Sequence, residues 1–551
     1  MRKILILLAL VSLWGTFGCE SDDNSTRSDG DRDGLSDGDS EAEVEADEET
    51  GVEGETEAEA EREKPWEFTR PDSGDPISEQ EVTEFTKAIT GMWKQTNYFN
   101  WAWWVSHGYQ SETDKTKPDY RLWWQDTNAI KNGDTITFSH FGGADNLALR
   151  TARVLNNAIA GYELSGNEMF RRLVVDYCKG FVALSQGLEW QADDPVKYLQ
   201  ARAVFSVNHS YEMEGGRKVV VDYDPVKVEK NDWNASTLPN NSNPYWGPIW
   251  VRTMRSKDDV PHMYRTAPLL MRLAKNASDP QVKEWSGRWL EYLQGFAKDI
   301  VDNNYHIRTR DKDGKVIIPK NENGTTKDLA SFVLYEILDK NAECNAKLSS
   351  ALLAYGDPRG LDCGTGGKNA YETMATAGHY FNHEIVRIFH LSALTLAEEL
   401  GYYDIADNLM IGLMERTAYW MDDVDGPKYH GEWFPDVATH LVASATAGLP
   451  LTSREARLVM QQYRDSVDYY TAWPYWDPWA STVPDGTFDF IPNRDEPIDP
   501  QHPENGNKYY VGETQLTYFL EYCYSPFRNP NGAKFVDCDI VSDPAKWGVG
   551  Q

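Results

Sequence analysis

The segment GHYFNHEIVRIFHLSALTLAEELG, starting at Gly378, opens with Tyr380, Asn382, His383 and Glu384 and runs on into a stretch with almost no polar face. An amide, an imidazole and a phenol at one helix start are groups that can neutralise a carboxylate and move a proton beside it. Arg387, one turn further on, adds a fixed positive charge where an anion would develop. Other expected helix starts carry similar groups: Asp145-Asn146 after Gly142-Gly143, Asp258-Asp259 with His262 and Tyr264, and Glu432 with Asp436 and His440. Any one Asp at such a position reads as an N-cap. Several starts converging from distant segments are what a pocket needs.

Helical hairpins must position these groups. Ala148, Ala152, Leu155, Ile159 and Tyr162 recur at spacings of three and four, and after Ser165-Gly166-Asn167 a second pattern runs from Met169 to about Leu184. The unit repeats after Asp258-Asp259, where a helix to about Lys275 is followed by Asp279-Pro280 as N-cap and first-turn proline for Val282, Trp285, Trp289, Leu293, Phe296 and Ile300. Further pairs are Asn382–Leu400 with Tyr403–Trp420, and Pro435–Ala447 with Ser453–Tyr470. Shorter helices are expected at Ser78–Trp93, opened by the capping box Ser78/Glu81, at Lys327–Leu338 and at Glu513–Tyr522. In each clear pair the first helix is apolar all round, as Ile385, Val386, Ile388, Phe389, Leu391, Leu394 and Leu396 show, and the second is amphipathic. Residues 65–551 therefore read as a mainly all-α domain, an α/α toroid of helical hairpins with buried helices ringed by surface ones.

Two insertions interrupt the pattern. GRKVVVDYDPVKVE from Gly216 has β-hairpin character and leads into a Pro/Asn-rich loop to Trp250. The second, Tyr469 to Tyr510, sets Trp473, Trp476 and Trp479 among many Asp and Pro residues as candidate rim aromatics. Connections this long in a compact domain are usually functional, and Trp faces suit the apolar faces of sugar rings.

The pair Asn382-His383, followed by apolar residues and the ending Leu400-Gly401, resembles the inner-helix motif of the α/α-toroid polysaccharide lyases related to alginate and heparin lyases, with Glu384 where those enzymes have Gly. The resemblance implies β-elimination on a uronate-containing polysaccharide: Asn382 neutralising the carboxylate, His383 acting as base or neutraliser, Arg387 supporting the anion, and Tyr380 or Tyr264 supplying a phenol. Two alternatives stay open on the residues alone. A glycoside hydrolase would use Asp145 and Asp259 as paired carboxylates. A glycan-binding surface lipoprotein would use aromatic platforms without a convergent acid/base cluster; the candidate substrate-binding residues are Tyr264, His262 and Glu432 with Trp473, Trp476 and Trp479.

The N-terminus sets the compartment. Arg2 and Lys3 precede an apolar run, Ile4 to Trp14, too short to span a bilayer and ending at Cys19, so residues 1–19 read as a lipoprotein signal with Cys19 lipidated. Residues 20–64 hold twenty acidic against four basic side chains and almost nothing large and apolar, the composition of a solvated tether. A lipid anchor in a bacterial cell envelope, periplasmic or surface-exposed, is the expected location. The formal net charge of −33 argues against nucleic acid as a partner. Export favours bridges Cys344–Cys363 and Cys523–Cys538, with Cys178 a buried apolar residue. No cofactor is firmly implied. Asp29, Asp31, Asp33, Asp37 and Asp39 alternate as in half of a calcium loop but read first as a charge run, and a zinc site at His379, His383 and Glu384 lacks a further ligand.

Overall fold

A computed structural model of the chain describes residues 74–96, 106–107, 120–123, 126–142, 147–205, 209–222, 237–257, 259–319, 340–361, 363, 380–421, 451–461, 479, 484–489, 520–525, 533–541 and 543. All of them belong to the compact unit Lys64–Gln551. Its helices are α1 (Glu79–Thr96), α2 (Leu147–Ser165), α3 (Glu168–Gln186), α4 (Asp259–Asn276), α5 (Pro280–Asp302), α6 (Lys340–Tyr355), α7 (Tyr380–Glu399) and α8 (Tyr403–Met421), with shorter helical stretches at 453–461, 520–524 and Cys538–Val541.

The expected hairpins form by local chemistry. Asn167 caps α3 by accepting the Met169 N–H at 2.8 Å. Asp279 caps α5 through the N–H groups of Gln281 and Val282, with Pro280 in the first turn. Residues Leu147 to Gly161 of α2 are all buried, whereas α5 buries only a stripe through Val282, Trp289, Leu293, Phe296 and Ile300. Phe181 of α3 stacks on Trp289 of α5 at 4.4 Å, a pairing that adds about 1 kcal/mol beyond the area buried. Gly180 of α3 makes room for another neighbour: a Cβ there would meet the carbonyl oxygen of Arg121 at 2.0 Å. With that space open, Arg121 donates its N–H to the Asp176 carbonyl at 3.0 Å.

The expectation of an all-α toroid is corrected by the sheets. Strands β3 (Asp126–Asn132), β4 (Thr135–Gly142), β6 (His209–Met213), β7 (Arg217–Val221) and β12 (Gly486–Asp489) form one five-stranded sheet in the order β12-β3-β4-β7-β6. Its β4–β7 pair is parallel and the others antiparallel. A second sheet sets β9 (Ile249–Arg252) between β5 (Ala203–Phe205) and β8 (Thr237–Asn240). Two-residue strands β1 (Ser106–His107) with β2 (Leu122–Trp123), and β10 (Thr309–Arg310) with β11 (Val316–Ile317), complete the β structure among the described residues. The β character after Gly216 is strand β7, inside a five-stranded sheet between β4 and β6, and part of the expected aromatic loop is strand β12. Ile136 and Phe138 point inward from β4, while Thr135 and Thr137 are partly exposed, the period-2 alternation of a half-buried strand.

Both expected disulfides are present, Cys344–Cys363 and Cys523–Cys538. Cys178 is free and buried, and desolvation pushes its thiol far up. Among the described residues no helix is long and apolar enough to cross a membrane.

Candidate functional site

Helices α2, α4 and α7 run in the same direction. At the start of α4, Asp259 accepts the Leu149 N–H from the first turn of α2 at 3.0 Å. The carbonyl of Pro261, one residue further into α4 than Val260, accepts the Ser392 hydroxyl of α7 at 2.9 Å. Towards the other end, Arg272 of α4 bonds Glu399 of α7 at 2.9 and 3.0 Å and acts electrostatically on Glu163 of α2. The starts of the three helices therefore face one end. Because Tyr380 lies twelve residues before Ser392, the start of α7 overhangs that of α4 by roughly 15 Å at a helical rise of about 1.5 Å per residue.

Asp259 is occupied on both oxygens. Its Oδ2 takes Arg255 Nη1 at 2.7 Å, and both side chains are fully buried. Arg255 also donates to the Ala201 carbonyl. Burial pushes the Asp259 carboxyl up and the Arg255 guanidinium down, with each partner's charge working against the shift in the other. This is a buried ion pair that ties two helix starts to the segment ending at Ala201. His262, 3% exposed, and Tyr264 with no exposure lie in the same turn of α4 and the next. Tyr264 accepts the Ser350 hydroxyl at 3.3 Å, and burial pushes its phenol well up.

Tyr380, Asn382, His383 and Arg387 occupy the first two turns of α7, with their side chains outside the described residues. Asp145, Glu432, Trp473, Trp476 and Cys19 lie outside the described residues altogether, as do His379 and the tether with its Asp series. Trp479 is half-buried, its ring under the Arg217 guanidinium at 5.1 Å, so it packs on the five-stranded sheet through β7.

A constellation the sequence did not single out lies where α3 ends. Glu189, 1% exposed, accepts the Tyr245 hydroxyl at 2.9 Å on one oxygen and the Tyr292 hydroxyl at 3.4 Å on the other. Gln186 donates to the Tyr292 oxygen at 2.9 Å and accepts the Trp246 indole N–H at 2.9 Å. Asn240 and Asn243 donate to the carbonyls of Gly187, Glu189 and Gln186, so the loop after α3 and the loop before β9 form one body. Desolvation pushes the Glu189 carboxyl up, and burial together with Glu189 pushes the Tyr245 phenol up to about 12. Tyr198 stands edge-on to Tyr292 at 5.5 Å. Its backbone is left-handed at φ +65, a conformation that costs about 1–3 kcal/mol in a residue other than glycine. Gly295 leaves it space: a Cβ there would sit 2.3 Å from Tyr198 Cγ. Beside them Arg310 covers the Trp190 ring and pairs with Asp194 at 2.7 Å.

The sequence did mark the Pro/Asn-rich loop to Trp250 as functional by its length. The missing signal was the dipeptide Glu189-Trp190 directly after a helix end, facing Tyr245-Trp246 behind an Asn/Pro turn. No family model, curated protein or solved structure matches the chain. Chemistry therefore carries the reading: phenols held in place by a carboxylate present ring faces and fixed polar edges, and the starts of α2, α4 and α7 face one end.

Proposed function

We propose that the chain is an extracytoplasmic enzyme that degrades a uronate-containing polysaccharide by β-elimination, centred on Asn382 and His383 at the start of α7. What supports this reading is the common direction of α2, α4 and α7, which turns the three helix starts toward one end, with the start of α7 about 15 Å beyond that of α4. The two disulfides support an oxidising compartment. In the proposed reaction Asn382 and Arg387 hold the substrate carboxylate, and His383 or Tyr380 removes the neighbouring carbon-bound proton. The electron pair becomes a carbon–carbon double bond as the glycosidic oxygen leaves with a proton. Stabilising the dianionic intermediate requires fixed donors in a site poor in water.

The hydrolase alternative loses support at Asp259, whose oxygens are both engaged and which has no exposure. Binding without turnover keeps a specific argument, the tyrosines around Glu189. Residues 65–551, incubated with alginate, polygalacturonate and a neutral polymer, separate the three readings. A lyase produces both the ultraviolet absorbance of an unsaturated uronate and new reducing ends, a hydrolase only reducing ends, and a binding protein neither.

A further inference from the structure

We infer that Tyr198, Tyr245 and Tyr292, arranged around Glu189, form a binding subsite for a neutral pyranose residue of a heteropolysaccharide. The inference rests on the reading of the chain as polysaccharide-active and narrows the polymer to one that carries neutral sugars.

Tyr245 is 41% exposed although its hydroxyl is fixed by Glu189 at 2.9 Å. A large ring is thereby held at the surface in one orientation, so little side-chain freedom remains to be lost when a ligand stacks on it. Tyr292 is tied in the same way from both sides, by Glu189 and Gln186. Tyr198 keeps a left-handed backbone over the space that Gly295 leaves open, its ring against Tyr292. Residues held in sparsely populated conformations cluster at active sites and ligand clamps, and Tyr198 combines that backbone with a partly exposed ring. Three fixed rings with polar edges suit a pyranose, whose apolar face stacks on aromatic carbon and whose hydroxyls meet the phenols.

Charge decides between a neutral sugar and a uronate. Glu189 and Glu291 act on the shelf, Lys197 opposes them, and Asp194 is already paired with Arg310. The two carboxylates outnumber the one lysine, so the shelf offers a sugar carboxylate no net positive charge, which favours an uncharged ring. Glu189 itself, almost without exposure, acts through the phenols and is a positioning residue.

Native affinity electrophoresis of the full-length chain in detergent, through gels containing glucomannan, xylan or polygalacturonate, tests the inference. At least one neutral polymer is expected to retard the wild type more than polygalacturonate does. Tyr245→Ala should weaken that retardation roughly tenfold. Tyr245→Phe, which keeps the ring but loses its bond to Glu189, should fall between the wild type and Tyr245→Ala, and Glu189→Gln should be rescued relative to Glu189→Ala. Absence of retardation by both neutral polymers overturns the inference, as does equal retardation of wild type, Tyr245→Ala and Tyr245→Phe. β-Elimination measured on the same samples keeps the two readings apart: binding of neutral polymer without elimination removes the lyase reading alone, and elimination without such binding removes this inference alone.

Discussion

Asp259 holds the backbone N–H of Leu149 at 3.0 Å, so the first residue of one buried helix caps the first turn of another. Its second oxygen is taken by Arg255, and neither side chain has any exposure. Asp259→Asn keeps the volume and an acceptor for Leu149 but leaves the Arg255 charge buried without its partner. Breaking a buried pair from one side costs about 3–5 kcal/mol. Urea unfolding of the variant is expected to show a loss of that size. An equally stable but inactive Asp259→Asn protein would return the residue to the catalytic role.

Glu189 gives the chain a recognisable pH dependence. Burial raises its folded-state pKa, so the folded protein keeps this proton at pH values where the unfolded chain, titrating near about 4.3, has released it. Stabilisation from this group is complete below that value and disappears as pH rises through the raised one. Glu189→Gln carries no charge at any pH. The stability of the variant minus that of the wild type should therefore grow with pH through this window and then level off. Urea midpoints at stepped pH measure it, and a difference that stays flat or shrinks refutes the assignment.

The closeness of α3 to the chain before β2 depends on Gly180. Gly180→Ala would set a Cβ 2.0 Å from a backbone oxygen, which cannot swing aside as a side chain would. Overpacking of this kind costs about 1–3 kcal/mol. A lowered melting temperature is the expected outcome, and an unchanged one would show that Arg121 can retreat without loss.

The bridge Cys344–Cys363 ties the second turn of α6 to the segment beyond its end, across a sequence separation of 19. Closing a loop of that length stabilises by about 3 kcal/mol in the chain-entropy account. Cys344→Ser with Cys363→Ser is expected to lower stability by that order, and peptide mapping without reduction should recover the linked pair in the wild type. Free thiols at both positions in unreduced protein would contradict the bridge.

How much was legible in the sequence follows the range of the interactions. The capping box at Ser78 and Glu81, with Ser78 N–H to Glu81 at 2.8 Å and Glu81 N–H to Ser78 at 3.2 Å, spans one turn and was readable, as was the cap Asp279. The five-stranded sheet was not. Its strand β4 pairs in parallel with β7 some eighty residues later, and β3 pairs with β12 from a segment that reads as aromatic loop. Asn132-Gly133 was the available local signal for the β3–β4 hairpin, with Gly133 at φ +56 and its N–H bonded to Asp485. The Glu189 shelf went unread for the same reason: Glu189, Tyr245 and Tyr292 come from three segments, and no spacing within one of them announces the others.

His383 decides the proposed chemistry. It lies nine residues ahead of Ser392 on α7, about 13 Å along the axis, beyond the level at which Ser392 bonds Pro261 at the start of α4. Among the described residues, the buried part of α7 begins at Ile388, five residues further along the helix. His383→Ala is therefore expected to leave the melting temperature nearly unchanged while lowering elimination by about 10²–10⁴, the contribution of a general acid or base. A histidine that instead satisfied buried partners would cost about 1–3 kcal/mol of stability on removal, and its loss of turnover would follow the loss of fold. Turnover measured beside melting separates these cases, with Asp259→Asn as the reference for a structural loss. Full activity in a stable His383→Ala protein would remove the start of α7 from the mechanism.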